Sequence, residues 1–202
     1  MELLLERLAG ARIGSTHNQY QGPGGDVRLA NLAAYLEERA AADVVAIGEA
    51  AGYQGARWSG IAFTSERDLA RWGPPYRPTS PRPEGYSEPS GTIVHTTLEG
   101  LGAEHRVVLW NVVPTHPHQP DRALSNRRPT AAEIAEGVTH ADRLLALLRP
   151  RLVVAVGRVA EAALAGRASA AVRHPSHGGA ALFRAGLGDL LSCGRPGATR
   201  PE

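Results

Sequence analysis

Lysine is absent from this 202-residue chain, and cysteine occurs only once. Each scarcity excludes something. Without lysine there is no P-loop, whose glycine spacing is missing as well. One cysteine, Cys193, can neither close an internal disulfide nor hold a metal cluster by itself, and a cytoplasmic setting fits. No apolar run is long enough to span a bilayer, so no membrane partner is expected. The first residues, Met1 to Arg7, carry acid early and lack a secretory cleavage pattern. All 22 basic residues are arginine. Arginine forks onto phosphate in a bidentate way. A GC-rich genome accounts for most of that bias, and a net charge of +2 with a pI near 9.0 permits nucleic acid without demanding it.

What is present suits a core-forming domain. At 43% hydrophobic and 21% charged residues, one globular domain over residues 1–193 is expected, with a flexible tail over 194–202. The pattern predicts a helix over residues 27–41 and a short buried strand over Asp43–Gly48. Residues 71–91 are rich in Pro, Gly and Ser and read as a long loop, functional or mobile. A second buried strand covers Arg106–Asn111. Thr130 and Glu133 form a capping box that starts a helix ending before Pro150. Leu152–Gly157 is a third strand, Val159–Leu164 a helix, and Ala168–Val172 a weak fourth strand. Strands alternating with helices predict an α/β fold, with a mostly parallel four-stranded sheet between helical layers. Ligands in such sheets lie beyond the carboxyl ends of the strands, where Gly48-Glu49, Asn111 and His174 fall.

Three constellations carry chemistry. Gly48-Glu49-Ala50-Ala51-Gly52-Tyr53 follows the first strand, with Gly60-Ile61-Ala62-Phe63-Thr64-Ser65 just beyond. Glu49 is a candidate base, though by position alone it reads rather as a solvated loop acid, and Phe63 by itself is more readily core than a stacking platform. Asn111 offers donor and acceptor together, suited to a planar amide edge, yet Asn at a strand end is also a common turn former. In Asn126-Arg127-Arg128-Pro129, Arg127 and Arg128 precede a helix start, a place for phosphate. Last comes Arg173-His174-Pro175-Ser176-His177-Gly178-Gly179, a positioned histidine followed by glycines that let backbone approach a ligand. The histidines at 116, 118, 174 and 177 match no tetrahedral zinc spacing, so no metal is expected.

In this order, these segments resemble the uracil-DNA glycosylase superfamily over residues 43–186. The resemblance implies that Phe63 stacks on the target base in a pocket that includes Gly48. It implies that Asn111 reads the base edge and that a methyl-excluding wall lies near Tyr53. His174 would donate to the leaving base, and Glu49 would hold water or stabilise the sugar cation. Ser176, Gly178, Arg127 and Arg128 would contact phosphate. The chain departs from its better-known relatives at four places. Ala50 stands where one branch has its water-activating Asp, and Ala51 replaces a usual Pro. The single cysteine cannot supply the four that hold an iron–sulfur cluster in another branch, so no cofactor is expected. Gly178-Gly179 replaces a Pro-Leu-Ser wedge. The expected activity is hydrolysis of the N-glycosidic bond of uracil, or another deaminated base, in DNA, by a monomer. The alternatives are a weakly active or inactive damaged-DNA-binding relative, and a hydrolase of free nucleosides or nucleotides.

Overall fold

The computed structural model describes residues 1–192. Cys193 and the expected tail over 194–202 lie outside the described residues. The elements run α1 (Glu2–Ala9), α2 (Gly25–Glu37), β1 (Val44–Ala50), α3 (Ala56–Ser59), α4 (Glu66–Trp72), α5 (Pro89–Gly100), β2 (Val107–Val113), α6 (Ala131–Leu148), β3 (Leu152–Val156), α7 (Arg158–Ala163), β4 (Ala170–Val172) and α8 (Ala180–Ser192). The four strands form one sheet in the order β2-β1-β3-β4, and every pairing is parallel. Helices flank it, as the α/β reading requires. The central strands are apolar on both faces because both faces are covered: Val44 to Ile47 and Val107 to Trp110 are all buried.

Two strands run further than the sequence pattern suggests. β1 continues through Glu49 to Ala50, and β2 through Asn111 to Val113. Asn111 is therefore a strand residue paired with Gly48, not a turn former at a strand end. Neither residue breaks the ladder, because a parallel pairing needs only backbone groups.

The capping box at α6 forms as the sequence predicts. The Thr130 hydroxyl accepts from the Glu133 N–H at 3.2 Å, and the Glu133 carboxylate accepts from the Thr130 N–H at 2.8 Å. Arg149 closes the helix in a left-handed conformation, with Pro150 next.

The stretch over residues 71–91 is not one long loop. α4 reaches Trp72, and α5 begins at Pro89, whose missing N–H is harmless at a first helical position. The intervening segment is tied down by one buried carboxylate. Glu66 accepts from the backbone N–H groups of Thr79 (2.7 Å), Ser80 (2.8 Å) and Tyr86 (3.0 Å). Asn31 adds a pair of bonds to the backbone of Arg77.

Candidate active site

The carboxyl ends of the strands meet as the topology dictates. Gly48 is buried in β1 beside Asn111 of β2. A Cβ built on Gly48 would lie 2.3 Å from Cζ of Phe63 and 3.1 Å from Oδ1 of Asn111. Only glycine at this position lets the Phe63 ring and the Asn111 amide close over the strand. Phe63 itself has φ of +53°, unusual for an aromatic residue. The turn that holds it there is fastened by buried hydroxyls: Ser59 donates to the Thr64 carbonyl at 2.7 Å and Tyr20 to the Gly60 carbonyl at 2.6 Å. The Asn111 amide has no hydrogen-bond partner among the described residues, although the residue is buried. Its Oδ1 faces Gly48 on the side of the Phe63 ring, and the residue also lines a small cavity with Trp110 and Ala62.

His174 follows β4, and its ring centre lies 5.9 Å from that of Phe63. Gly157, at the end of β3 with φ of +89°, leaves room for it. The backbone N–H of Ser176 points at Nδ1 of His174 at 3.1 Å. An N–H can only donate, so Nδ1 accepts and the ring proton of the neutral imidazole sits on Nε2. Burial lowers the pKa of His174, and Arg173 and His177 lower it further, which keeps the ring neutral. The Ser176 hydroxyl lies between two histidines, 2.8 Å from Nδ1 of His174 and 3.0 Å from Nδ1 of His177. Beyond them Gly178 has φ of +76°, and Gly179 packs so closely on the His174 carbonyl that a Cβ there would lie 2.0 Å from it.

Glu49 and His174 line one cleft of about 270 Å³, with Ala50, Glu88, Ser176 and His177. The Glu49 carboxylate has no hydrogen-bond partner among the described residues; burial raises its pKa and Arg128 opposes the rise. The cleft continues both ways. Towards Arg128 and Arg158 it widens to about 730 Å³, and towards Ser176 and Gly178 to about 500 Å³. Together they form a groove along the sheet edge, basic at one end and glycine-lined at the other.

Two residues picked out by sequence are placed otherwise. Arg127 is committed to the fold: it forks onto the Glu133 carboxylate at 2.6 and 2.7 Å and donates to Ser15 and to the His118 carbonyl. It holds the Glu133 pKa down at about 2. Although Arg127 borders the cleft, the exposed guanidinium groups there without a side-chain partner among the described residues are those of Arg128 and Arg158. Tyr53 does not line the cleft; its backbone N–H is held by Asn126 at 3.0 Å. A cleft residue that sequence reasoning missed is Glu88, whose carboxyl lies against Gly52 and Gly55. Its signal was modest: an acid directly before a proline that opens a helix. His116 is a packed residue, 2.8 Å from the Ala51 carbonyl, and the described residues hold no group of three or more metal-ligating side chains.

The profile of the Uracil DNA glycosylase superfamily matches residues 37–191. The chain belongs to that superfamily. Its fold is similar to the solved structure of wild-type SMUG2 from Pedobacter heparinus, with a TM-score of 0.71 over 95% of this chain and 96% of that one. The two are 12% identical in sequence. No curated protein sequence matches the chain. Superfamily membership makes it a relative of glycosylase hydrolases that act on DNA. No described helix is long and apolar enough to cross a membrane.

Proposed function

We propose that this protein is a DNA glycosylase that releases uracil, or another deaminated base, by hydrolysing its N-glycosidic bond. The observation that carries this reading is the neutral His174 with its proton on Nε2, beside Phe63 and facing the same cleft as Glu49. The target nucleotide leaves the stack and its base enters the site. Phe63 packs on the base, and the free Asn111 amide reads its edge. As the bond breaks, negative charge grows on the base and positive charge on the sugar. The Nε2–H of His174 donates to the carbonyl that gathers the negative charge, a preorganised contribution of about 3 kcal/mol. Glu49 is the carboxylate that stabilises the sugar cation and holds the attacking water. Ser176, the Gly178 segment and Arg128 grip phosphates that flank the extruded nucleotide.

The test is base release from uracil-containing oligonucleotides, single- and double-stranded, with chelator present. No release by concentrated protein from either substrate refutes this reading. One observation favours a second reading, a damaged-base-binding relative without turnover: Ala50 places no carboxylate next to Glu49 in the first motif. Salt-dependent binding of uracil-containing DNA with no base released would decide for it.

A further inference from the structure

The fold satisfies most of its enclosed acids. Glu66 takes backbone bonds from Thr79, Ser80 and Tyr86; Asp68 takes the Ser65 N–H and hydroxyl; Glu133 takes Arg127 and Thr130. Glu88 has nothing comparable. It is the N-cap residue of α5, yet its side chain makes no capping bond. Its Oε2 is sealed from solvent with no partner among the described residues. Buried polar atoms are nearly always paired, so an unpaired carboxyl calls for an account.

The place where it lies is built for it. A Cβ on Gly55 would fall 2.0 Å from Oε2, and one on Gly52 would fall 3.1 Å from Oε1. Two glycines of the loop after β1 therefore mould that loop around the carboxyl, which fills the space a side chain at position 55 would take and crowds one at position 52. The residue as a whole is only partly buried, and it opens on the 270 Å³ cleft shared with Glu49 and His174.

We propose that Glu88 contacts the substrate base as a neutral carboxylic acid, its sealed Oε2 left as the carbonyl oxygen and its Oε1–H donated to a carbonyl oxygen of the base held in that cleft. The identity of the ligand rests on the glycosylase reading above. Sealing pushes the Glu88 pKa up to about 7, and the negative charge of Asp68 on α4 adds to the rise. The other titratable groups facing it across the cleft are Glu49 of β1, Arg127, His174 and His177. The two cleft acids divide accordingly. Glu49 has Arg128 to favour its anion, whereas the charge acting on Glu88 is that of another acid. A departing base gathers negative charge on its carbonyl oxygens. A carboxylate there would repel it, and a neutral acid stabilises it. Deaminated bases carry a carbonyl where their parents carry an amino group, so such a donor suits them as a class.

The experiment follows the Glu88 carboxyl carbon by NMR in protein labelled at glutamate, assigned with Glu88→Gln, as pH is varied. It is done without ligand and with saturating free uracil, hypoxanthine or xanthine in turn. The expected result is a midpoint near 7 without ligand that moves to higher pH with at least one of the bases. The affinity of that base should then fall about tenfold per pH unit above the ligand-free midpoint. Glu88→Gln, which keeps a donor, should bind it with pH-independent affinity, and Glu88→Ala about fivefold more weakly. A midpoint that none of the three bases moves overturns the proposal. So does affinity that rises with pH, or Glu88→Gln binding no better than Glu88→Ala. No step requires turnover, so failure of the oligonucleotide assay would sink the glycosylase reading without deciding this one.

Discussion

The backbone N–H of Ser176 meets Nδ1 of His174 at 3.1 Å, which fixes the imidazole proton on Nε2. A two-residue turn thus sets the tautomer of the ring that faces the cleft. Pro175 is buried between them and keeps the turn in place. Removing the Ser176 hydroxyl leaves this backbone bond intact. Ser176→Ala should weaken binding of uracil-containing DNA and leave the single-turnover rate at saturation within about threefold of wild type. A large loss of that rate with unchanged binding would show that the hydroxyl acts in the chemistry instead.

Arg127 and Arg128 are neighbours with opposite assignments. Arg127→Ala would leave the buried Glu133 carboxylate without its cation and should cost about 3 kcal/mol in stability. Arg128→Ala should leave the melting temperature within error of wild type. It should weaken DNA binding and lower the salt slope by about one. Thermal melts and binding isotherms at several salt concentrations separate the two. Equal melting temperatures for both variants would contradict the assignment.

Gly48 carries no chemistry of its own, yet the site depends on it. A methyl group there meets the Phe63 ring at 2.3 Å. Gly48→Ala should therefore push the ring away, and a displacement of about 1 Å costs on the order of 10²-fold in rate. Single-turnover base release, compared with the thermal stability of the same variant, checks this. A fully active, folded Gly48→Ala would show that Phe63 need not pack where it does.

Stability should depend on pH in two opposed windows. His17 and His116 are held neutral by burial, with pKa values lowered to about 4. The unfolded chain binds their protons first, so their contribution is present above the ordinary histidine pKa of about 6.5 and is lost as pH falls towards 4. Glu88 works the other way. Its raised pKa makes its contribution full below about 4.5 and lost as pH climbs through 7. Replacing His116 with Asn should flatten the acid side of the melting-temperature profile, and Glu88→Gln should flatten the fall between about 4.5 and 7. A profile unchanged by either substitution would contradict the burial argument.

Much of the fold was legible because its signals are local. Val44 to Ile47 and Val107 to Trp110 are continuous apolar runs, and the Thr130–Glu133 box lies within one helical turn. The order of Glu49, Phe63, Asn111 and His174 along the chain was legible for the same reason. What escaped depends on partners distant in sequence. Arg127 looks like a phosphate ligand until Glu133 and Ser15 are seen around it. The segment after Trp72 looks loose until Glu66 ties it. Glu88 is unremarkable until Gly52 and Gly55 close on its carboxyl. Helix α8 was missed although Phe183, Leu187 and Leu191 recur every four residues and are buried.

The central claim is that His174 stabilises a departing base through Nε2–H. Its most direct test is single-turnover release of uracil from a uracil-containing oligonucleotide, in chelator, by wild type and by His174→Ala at matched saturation. The account predicts release by wild type and a rate about 10²–10³-fold lower for the variant, with DNA binding retained. Equal rates for the two proteins would contradict it.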